Sequence, residues 1–239
     1  MALLCDHKWK SKYTPDDGDL VQRFYVQALD AAVRYDRTTG YFSASALALA
    51  ARGIEALVRN NGKMRLLVGC TLDKDETDAI AAGYDLRETV SGRLLKMPLL
   101  AGDADHREAL ELLSWMVAKG LLDVKVAIPK NQAGKPIPEF SLFHEKAGVI
   151  EDKTGDRIAF SGSINETAAG WKLNWESFHV FCSWGGGDAH IQAEEESFAR
   201  LWEGRSPTAW VLGRLPMRSA RRCCPSCRQA TLSQRGLSG

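Results

Sequence analysis

The chain has 239 residues, of which 45% are hydrophobic and 26% are charged, and this balance excludes a disordered or fibrous protein. The length is enough for one large domain or two small ones. The formal net charge is +1, but the first 203 residues carry 24 basic against 30 acidic groups, so nucleic-acid binding there would need a local cleft.

The first half of the chain predicts helices that alternate with short buried strands. Residues 16–35 place apolar residues at helical spacing after an Asp-rich start, and a strand end, a turn at Gly40 and a helix over 43–59 follow. Residues 63–69 and 121–129 are apolar runs between turn signals, as expected for buried strands. Two helix-rich stretches and a polar loop complete this half, over 73–97, 106–120 and 131–140.

The second half predicts three strands in quick succession and then one helix. The strands fall within 141–152, 156–165 and 174–184, and an amphipathic helix covers 189–204. Strands alternating with helices, with antiparallel strands late in the chain, predict an α/β fold.

Three segments are predicted from the change of character along the chain. Residues 1–15 form an N-terminal extension, and 16–210 form one domain. Residues 211–239 form a tail rich in Arg, Ser and Cys, with little hydrophobic periodicity, which we expect to be disordered and outside the core.

The sequence predicts a cytoplasmic protein with no membrane partner, no metal and no cofactor. The start, MALLCDHKWK, has too short an apolar run for a signal peptide. The longest helical apolar stretch is interrupted by Arg52 and Glu55, so it does not predict a membrane span. The cluster CCPSC has no second pair of ligands to complete a zinc site.

Three pairs of polar residues at i, i+2 spacing occur within about forty residues. On a strand such residues point to the same face. If the strands are neighbours, six polar groups converge on one patch: His144 and Lys146, Ser163 and Asn165, and Asn174 and Glu176. Gly148 and Gly162 flank the patch, which predicts room for a ligand to approach the backbone.

This set of groups is suited to phosphate chemistry. Lys146 offers a cation, Ser163 and Asn165 offer neutral donors, and His144 offers a nucleophile or a proton shuttle. Each motif alone has a structural interpretation, because a single histidine in a strand or a single GSxN turn is common. Together they favour a catalytic site.

The combined pattern HxK, GSxN and NxE resembles the HKD signature of the phospholipase D superfamily. The segments YDRTTGYFSASALALAARGIEALVRNNGKMRLLVGC, SLFHEKAGVIED and FSGSINET resemble one branch of it more closely. That branch is the nuclease-like domain at the N-terminus of bacterial and archaeal DEAD/DEAH-type helicases. The similarity runs over roughly residues 15–210 and implies a mixed β-sheet flanked by helices on both faces.

The sequence departs from this family in two places. The family has an Asp five residues after the Lys, where this chain has Glu151 with Asp152 beside it, and we expect both to support the site. The chain also stops where a helicase would begin, which leads us to expect a truncated or frameshifted reading frame.

The resemblance implies a role for each site residue. His144 would form a phosphohistidine, Lys146 and Asn165 would hold the non-bridging oxygens, and Ser163 would add a hydrogen bond. Glu176 would orient a histidine, while Gly162 and Asn174 would support the site. The superfamily uses two histidines, so a chain with one HxK motif is expected to form a homodimer.

Several neighbours of the motifs keep alternative interpretations. Arg37 and Tyr41 could line the substrate cleft or be turn and core residues. Trp171 and Trp175 are expected to be core residues rather than base-stacking platforms, and His179 is expected to be structural.

Three functions compete. The leading one is a metal-independent phosphodiesterase, a nuclease in DNA defence or processing that could work with a helicase; DNA is favoured over RNA as the substrate, and both remain open. The second is a non-catalytic domain that binds nucleic acid or regulates a helicase. The third is a lipid phosphodiesterase, against which the lack of a membrane-binding amphipathic stretch argues.

Overall fold

The computed structural model describes residues 2–69, 75, 78–80, 82, 84–85, 106–131, 133 and 142–212. Eight strands form one sheet: β1 Lys12–Tyr13, β2 Ala32–Thr39, β3 Lys63–Gly69, β4 Leu122–Pro129, β5 Ala147–Asp152, β6 Arg157–Gly162, β7 Phe178–Cys182 and β8 Ala209–Leu212. Their spatial order is β1-β7-β6-β5-β2-β3-β4-β8.

The sheet is mixed, and its direction of pairing changes at β2. β2 pairs in parallel with β3, and β3 in parallel with β4. On its other side β2 pairs antiparallel with β5, and antiparallel pairing continues through β6, β7 and β1. The ends of β2, β3 and β6 and the starts of β5 and β7 therefore meet at one edge of the sheet.

Helices cover both faces of the sheet, which confirms the predicted α/β class. In the described part of the chain, one face carries a π-helical turn, Val21–Tyr25, and the helices α1 Val26–Ala31, α2 Ala44–Leu49, α3 Ala51–Arg59, α4 His106–Ala118 and α5 Ala168–Lys172. The opposite face carries α6, Asp188–Trp202, whose Phe198 and Leu201 pack on Leu67 of β3. Among the described residues, no helix combines the length and apolarity that crossing a bilayer requires.

Successive side chains of β2 point to opposite faces of the sheet and make different contacts there. Tyr35 lies in the main apolar core on the α1–α5 face, and Arg37 lies over the ring of Phe160 on the same face. Asp36 projects to the α6 face, where Arg65 donates to both of its carboxylate oxygens at 2.6 Å. β2 therefore carries charged groups to both layers of the domain.

The described elements match most of the predicted ones. The predicted strands at 63–69 and 121–129 correspond to β3 and β4, and the predicted helices at 106–120 and 189–204 correspond to α4 and α6. Most of the helix-rich stretch 73–97, and the tail after Leu212, lie outside the described residues.

Two of the predicted helices differ from the structure. The helix predicted over 16–35 ends at Ala31, because the following residues enter β2 and pair with both neighbouring strands. Sheet pairing here outweighs the helical spacing of the apolar residues. The helix predicted over 43–59 is divided at Ala50, which has φ −97° and ψ 21°.

The segment predicted as an N-terminal extension packs against the domain. Leu4 and Tyr13 are buried in the main core, and β1 pairs with β7. The backbone N–H of Leu4 donates to Asp152 Oδ2 at 2.8 Å. Asp152 also accepts from the Thr154 amide at 2.9 Å, from its hydroxyl at 2.7 Å and from the Asp156 amide at 3.2 Å. This carboxylate therefore holds the β5–β6 turn and the N-terminal segment together.

Replacing Asp152 by Ala should lower the free energy of unfolding by about 2–3 kcal/mol, because several donors lose their acceptor and the Leu4 amide is buried. The matched control is Asp16→Ala, which removes an exposed carboxylate and should change stability by less than about 0.5 kcal/mol. Urea unfolding measures both. Equal effects of the two substitutions would contradict the anchoring role.

The same carboxylate should contribute to acid unfolding. Burial by itself would raise the pKa of Asp152, but the hydrogen bonds from Thr154, Leu4 and Asp156 outweigh it and lower the pKa. A lowered pKa gives stability that is present above the unfolded-state value of about 4 and is lost as the pH falls through the folded-state value. Asp152→Ala should therefore show a weaker loss of stability with acid than the wild type.

Candidate active site

The three polar pairs lie just outside the strands, at one edge of the sheet. His144 and Lys146 precede β5, Ser163 and Asn165 follow β6, and Asn174 and Glu176 precede β7. The sequence predicted these pairs within the strands, whereas the structure has them in the segments that connect the strands. Ladder-like hydrogen bonds continue into them, from Gly162 N to Lys146 O at 3.2 Å and from Ser163 N to Ser177 O at 2.9 Å.

His144 and Asn165 are brought together at the turn after β2. A methyl group built on Gly40 would lie 3.5 Å from the Cα of His144 and 3.4 Å from Asn165 Oδ1. The two residues are therefore neighbours on the same side of the sheet edge. The side chain of His144 is exposed, so its imidazole is open to a ligand.

Lys146 is the cation of the site and is almost fully buried, with 6% of its surface exposed. Its Nζ donates to the backbone oxygen of His144 at 3.0 Å. Burial lowers the pKa of Lys146, the carboxylate of Glu176 opposes this shift, and the charge of Arg37 adds to it. Lys146 is therefore within electrostatic reach of both Glu176 and Arg37.

Glu176 and Ser163 are held by short-range contacts. Asn174 Nδ2 donates to Glu176 Oε1 at 3.1 Å, and the Ser177 amide donates to Ser163 Oγ at 3.0 Å. Ser163 is exposed, whereas Glu176 is buried. The hydroxyl and the carboxylate therefore keep fixed positions beside the β6–β7 pairing.

The side-chain amide of Asn165 has a defined orientation. The backbone N–H of Tyr41 donates to Asn165 Oδ1 at 3.1 Å, so the oxygen must lie on that side. Thr39 Oγ1 lies 3.4 Å from the same oxygen. The NH₂ group of Asn165 makes no hydrogen bond to any described residue, which leaves its two protons for a ligand.

Gly148 and Gly162 serve packing rather than ligand access. A methyl group on Gly148 would lie 2.4 Å from the ring of Phe160, and one on Gly162 would lie 2.2 Å from Ser177 O. Both spaces are filled by the protein itself. The expectation that these glycines admit a ligand is therefore replaced by close approach within the sheet.

The two acidic residues at the end of β5 lie away from the pairs. Glu151 forms an ion pair with Arg34 at 2.9 Å on the α6 face, and Asp152 anchors the N-terminal segment. Lys146 directly precedes the opposite end of β5, about 20 Å away along an extended strand. No hydrogen bond or ion pair links Glu151 or Asp152 to the six pair residues among the residues described, so any supporting role would act through the strand.

The residues for which the sequence left two interpretations open differ in how deeply they are buried. Arg37 is fully buried beneath the site, while Tyr41 is 41% exposed at its rim. Trp171 is buried and stacks on Tyr25 with 4.4 Å between ring centroids, as a core residue does. Trp175, between Asn174 and Glu176, is 69% exposed, so the expectation that it is a core residue is wrong. His179 is exposed on β7, opposite Lys12.

Glu166 is a residue of the site region that the sequence pattern did not reveal. Its carboxylate has no exposed surface and accepts from Arg37 Nε at 3.0 Å, from the Tyr35 hydroxyl at 3.2 Å and from the Tyr25 hydroxyl. The sequence carried no local signal for this role, because the partner of Glu166, Arg37, lies 129 residues away.

No group of three or more His, Cys, Asp or Glu side chains within the described ranges is arranged to hold a metal ion. Lys146 and the NH₂ group of Asn165 provide the donors that an anionic ligand would use. What the arrangement can do chemically is to hold a phosphate-sized anion next to an exposed imidazole.

Comparison with known proteins finds similarity in solved structures. No family model matches the chain, and no curated protein matches it. NucT from Helicobacter pylori is 13% identical, with a TM-score of 0.49, over 85% of this chain and 97% of that one. Nuc from Salmonella typhimurium, a phospholipase D family member, is 14% identical, with a TM-score of 0.45, over 80% and 92%.

A larger protein is also similar. Phosphatidylserine synthase from Haemophilus influenzae Rd KW20 is 12% identical, with a TM-score of 0.45, over 93% of this chain and 43% of that one. All three TM-scores lie below 0.5, so the functional evidence comes from the residues of the site.

Proposed function

We propose that this chain is a metal-independent phosphodiesterase of the phospholipase D type, and that its substrate is nucleic acid. The observation that carries the proposal is the meeting at one edge of the sheet of an exposed His144, a buried Lys146 and the NH₂ group of Asn165, which has no partner among the described residues. The resemblance of the sequence to helicase-linked nuclease domains favours DNA and a helicase partner. These two points rest on the resemblance.

The proposed reaction has two displacements at phosphorus. An imidazole nitrogen of His144 attacks phosphorus, an N–P bond forms, and the P–O bond to the leaving group breaks. An acid gives the leaving oxygen its proton. Water then attacks phosphorus and breaks the N–P bond, while the former acid takes the proton from the water and so returns to its starting state.

Three residues would stabilise the charge that develops on the phosphoryl oxygens. The ammonium of Lys146 and the NH₂ group of Asn165 donate to non-bridging oxygens, and these donors are already in place before the substrate arrives. The hydroxyl of Ser163 adds a third donor. Glu176, fixed by Asn174, accepts from an imidazole and sets its tautomer.

The wild type should cleave a nucleic-acid substrate in the presence of a chelator, and His144→Ala should reduce the rate by at least about 10³-fold. The matched control is His179→Ala, which removes an exposed histidine of β7 and should keep the rate. Turnover by His144→Ala at the wild-type rate would contradict the phosphohistidine. Tight binding without any turnover by the wild type would favour the non-catalytic alternative.

The exposed aromatic side chain beside the site favours a nucleic acid with unpaired bases. Trp175 projects into solvent next to Glu176, and bases stack on such rings with a gain of about 1–3 kcal/mol each. Tyr41, at the other rim, offers a second partly exposed ring. We propose that Trp175 holds a base of the substrate while the adjacent phosphodiester occupies the site.

Trp175→Ala should therefore raise the KM for a single-stranded oligonucleotide by about tenfold. The same substitution should leave cleavage of bis(p-nitrophenyl) phosphate unchanged, because that substrate has no base. The control is Trp184→Ala, which removes a tryptophan that is 42% exposed and follows the opposite end of β7. An unchanged KM for the oligonucleotide would exclude stacking on Trp175.

Assembly is the remaining part of the proposal. One histidine cannot readily serve as nucleophile and as leaving-group acid on opposite sides of an in-line phosphorus, and the chain has one HxK motif. We propose that a second copy supplies the acid through its own His144, with the site on the two-fold axis of a homodimer.

Subunit exchange with His144→Ala tests this assembly. Activity should fall as the square of the wild-type fraction, because a mixed dimer lacks one of the two required histidines. Exchange with His179→Ala should leave activity unchanged. A strictly linear fall, together with a monomer in sedimentation, would mean that the acid lies within the same chain.

A further inference from the structure

The peptide segment that carries Asn165 is held on both sides by one buried arginine. Arg37 Nη2 donates to the backbone oxygen of Ile164, and Arg37 Nε donates to Glu166 Oε2 at 3.0 Å. These two contacts bracket Asn165 in sequence. Neither Arg37 nor Glu166 has exposed surface, so both contacts are shielded from water.

A hydroxyl of β2, the strand that also carries Arg37, links this segment to the turn after β2. Thr39 Oγ1 accepts from the Glu166 amide at 3.0 Å and donates to Tyr41 O at 2.7 Å. The Tyr41 amide in turn donates to Asn165 Oδ1. Thr39 and Arg37 alternate with Thr38 along β2 and therefore share one face of the sheet.

We propose that Arg37, Thr39 and Glu166, hereafter the clamp, are positioning residues that aim the NH₂ group of Asn165 at the reacting phosphoryl group. The inference rests on the proposed phosphodiesterase function and adds a role for three residues that do not touch the substrate. Their effect passes through Asn165, because the clamp fixes the backbone on both sides of it and the turn that binds its oxygen.

Two properties of the clamp favour positioning over general stability. A buried ion pair is often replaced by apolar residues without loss of stability, so stability alone does not call for one here. The guanidinium also has a planar, forked set of donors, which can hold Ile164 O and Glu166 at the same time. A lysine ammonium would keep the charge but lose this fork.

The test compares Arg37→Lys with a matched control, Arg65→Lys. Arg65 forms a bidentate ion pair with Asp36 on the α6 face. The control therefore makes the same change in an arginine–carboxylate pair outside the clamp. Two quantities are measured on the full chain. They are the exchange rate of the Tyr41 backbone amide with deuterium, and the kcat and KM for bis(p-nitrophenyl) phosphate.

Arg37→Lys should speed exchange of the Tyr41 amide by at least about tenfold, because Asn165 Oδ1 no longer holds it. It should lower kcat by about 10²-fold with KM changed by less than about threefold, as expected for a displaced transition-state donor. The double variant Arg37→Lys with Asn165→Ala should be no slower than Asn165→Ala alone. Arg65→Lys should change none of these quantities.

Thr39 gives a second route if Arg37→Lys fails to fold. Thr39→Val removes the hydroxyl at nearly constant shape and should reproduce the faster exchange and the lower kcat, whereas Thr39→Ser should restore both. Unchanged exchange at Tyr41 in the Arg37 and Thr39 variants would overturn the clamp, and so would additive losses in the double variant. A wild type without turnover would overturn the phosphodiesterase proposal instead, while the exchange rates would still decide whether the clamp positions Asn165.

Discussion

The buried ion pair between Arg37 and Glu166 is the contact on which the site end of the sheet depends. It joins β2, the central strand, to the segment after β6, although β5 lies between the two strands. The hydroxyls of Tyr25 and Tyr35 also donate to this carboxylate. Burial first, and then the charge of Glu166, raise the pKa of both phenols well above the usual value, so they remain protonated donors. The carboxylate of Glu166 therefore accepts from three buried side chains, whereas Arg37 Nη1 is buried and makes no hydrogen bond among the described residues.

Aromatic packing holds the same segment from below. Tyr25 ends the π-helical turn Val21–Tyr25 and stacks on Trp171 of α5, the helix that directly follows Glu166 and Thr167. Thr167 caps that helix by accepting from the Gly170 amide at 3.0 Å. The π-helical turn therefore lets Tyr25 donate its hydroxyl to Glu166 and stack its ring on Trp171. Such turns are frequent at functional sites.

The sequence allowed the strands and the polar pairs to be predicted for definite reasons. β3 and β4 contain the short apolar runs 66–68 and 126–128 because both faces of the sheet are covered. The pairs at 144/146, 163/165 and 174/176 keep the two-residue spacing of extended backbone. The clamp could not be predicted in this way, because Arg37 and Glu166 are 129 residues apart and no local pattern joins them. Asp152 shows the same limit, since its partner Leu4 lies 148 residues away.

The two cations of the site region are compensated to different extents. Arg37 forms an ion pair with Glu166 in the core at 3.0 Å. Burial lowers the pKa of Lys146, the carboxylate of Glu176 opposes this shift, and the charge of Arg37 adds to it. The ammonium of Lys146 has three donors, and one of them is used by the His144 carbonyl within the described residues. Two donors of the ammonium therefore remain, and under the proposed function a phosphoryl oxygen would accept from them while the contact to the His144 carbonyl stays in place.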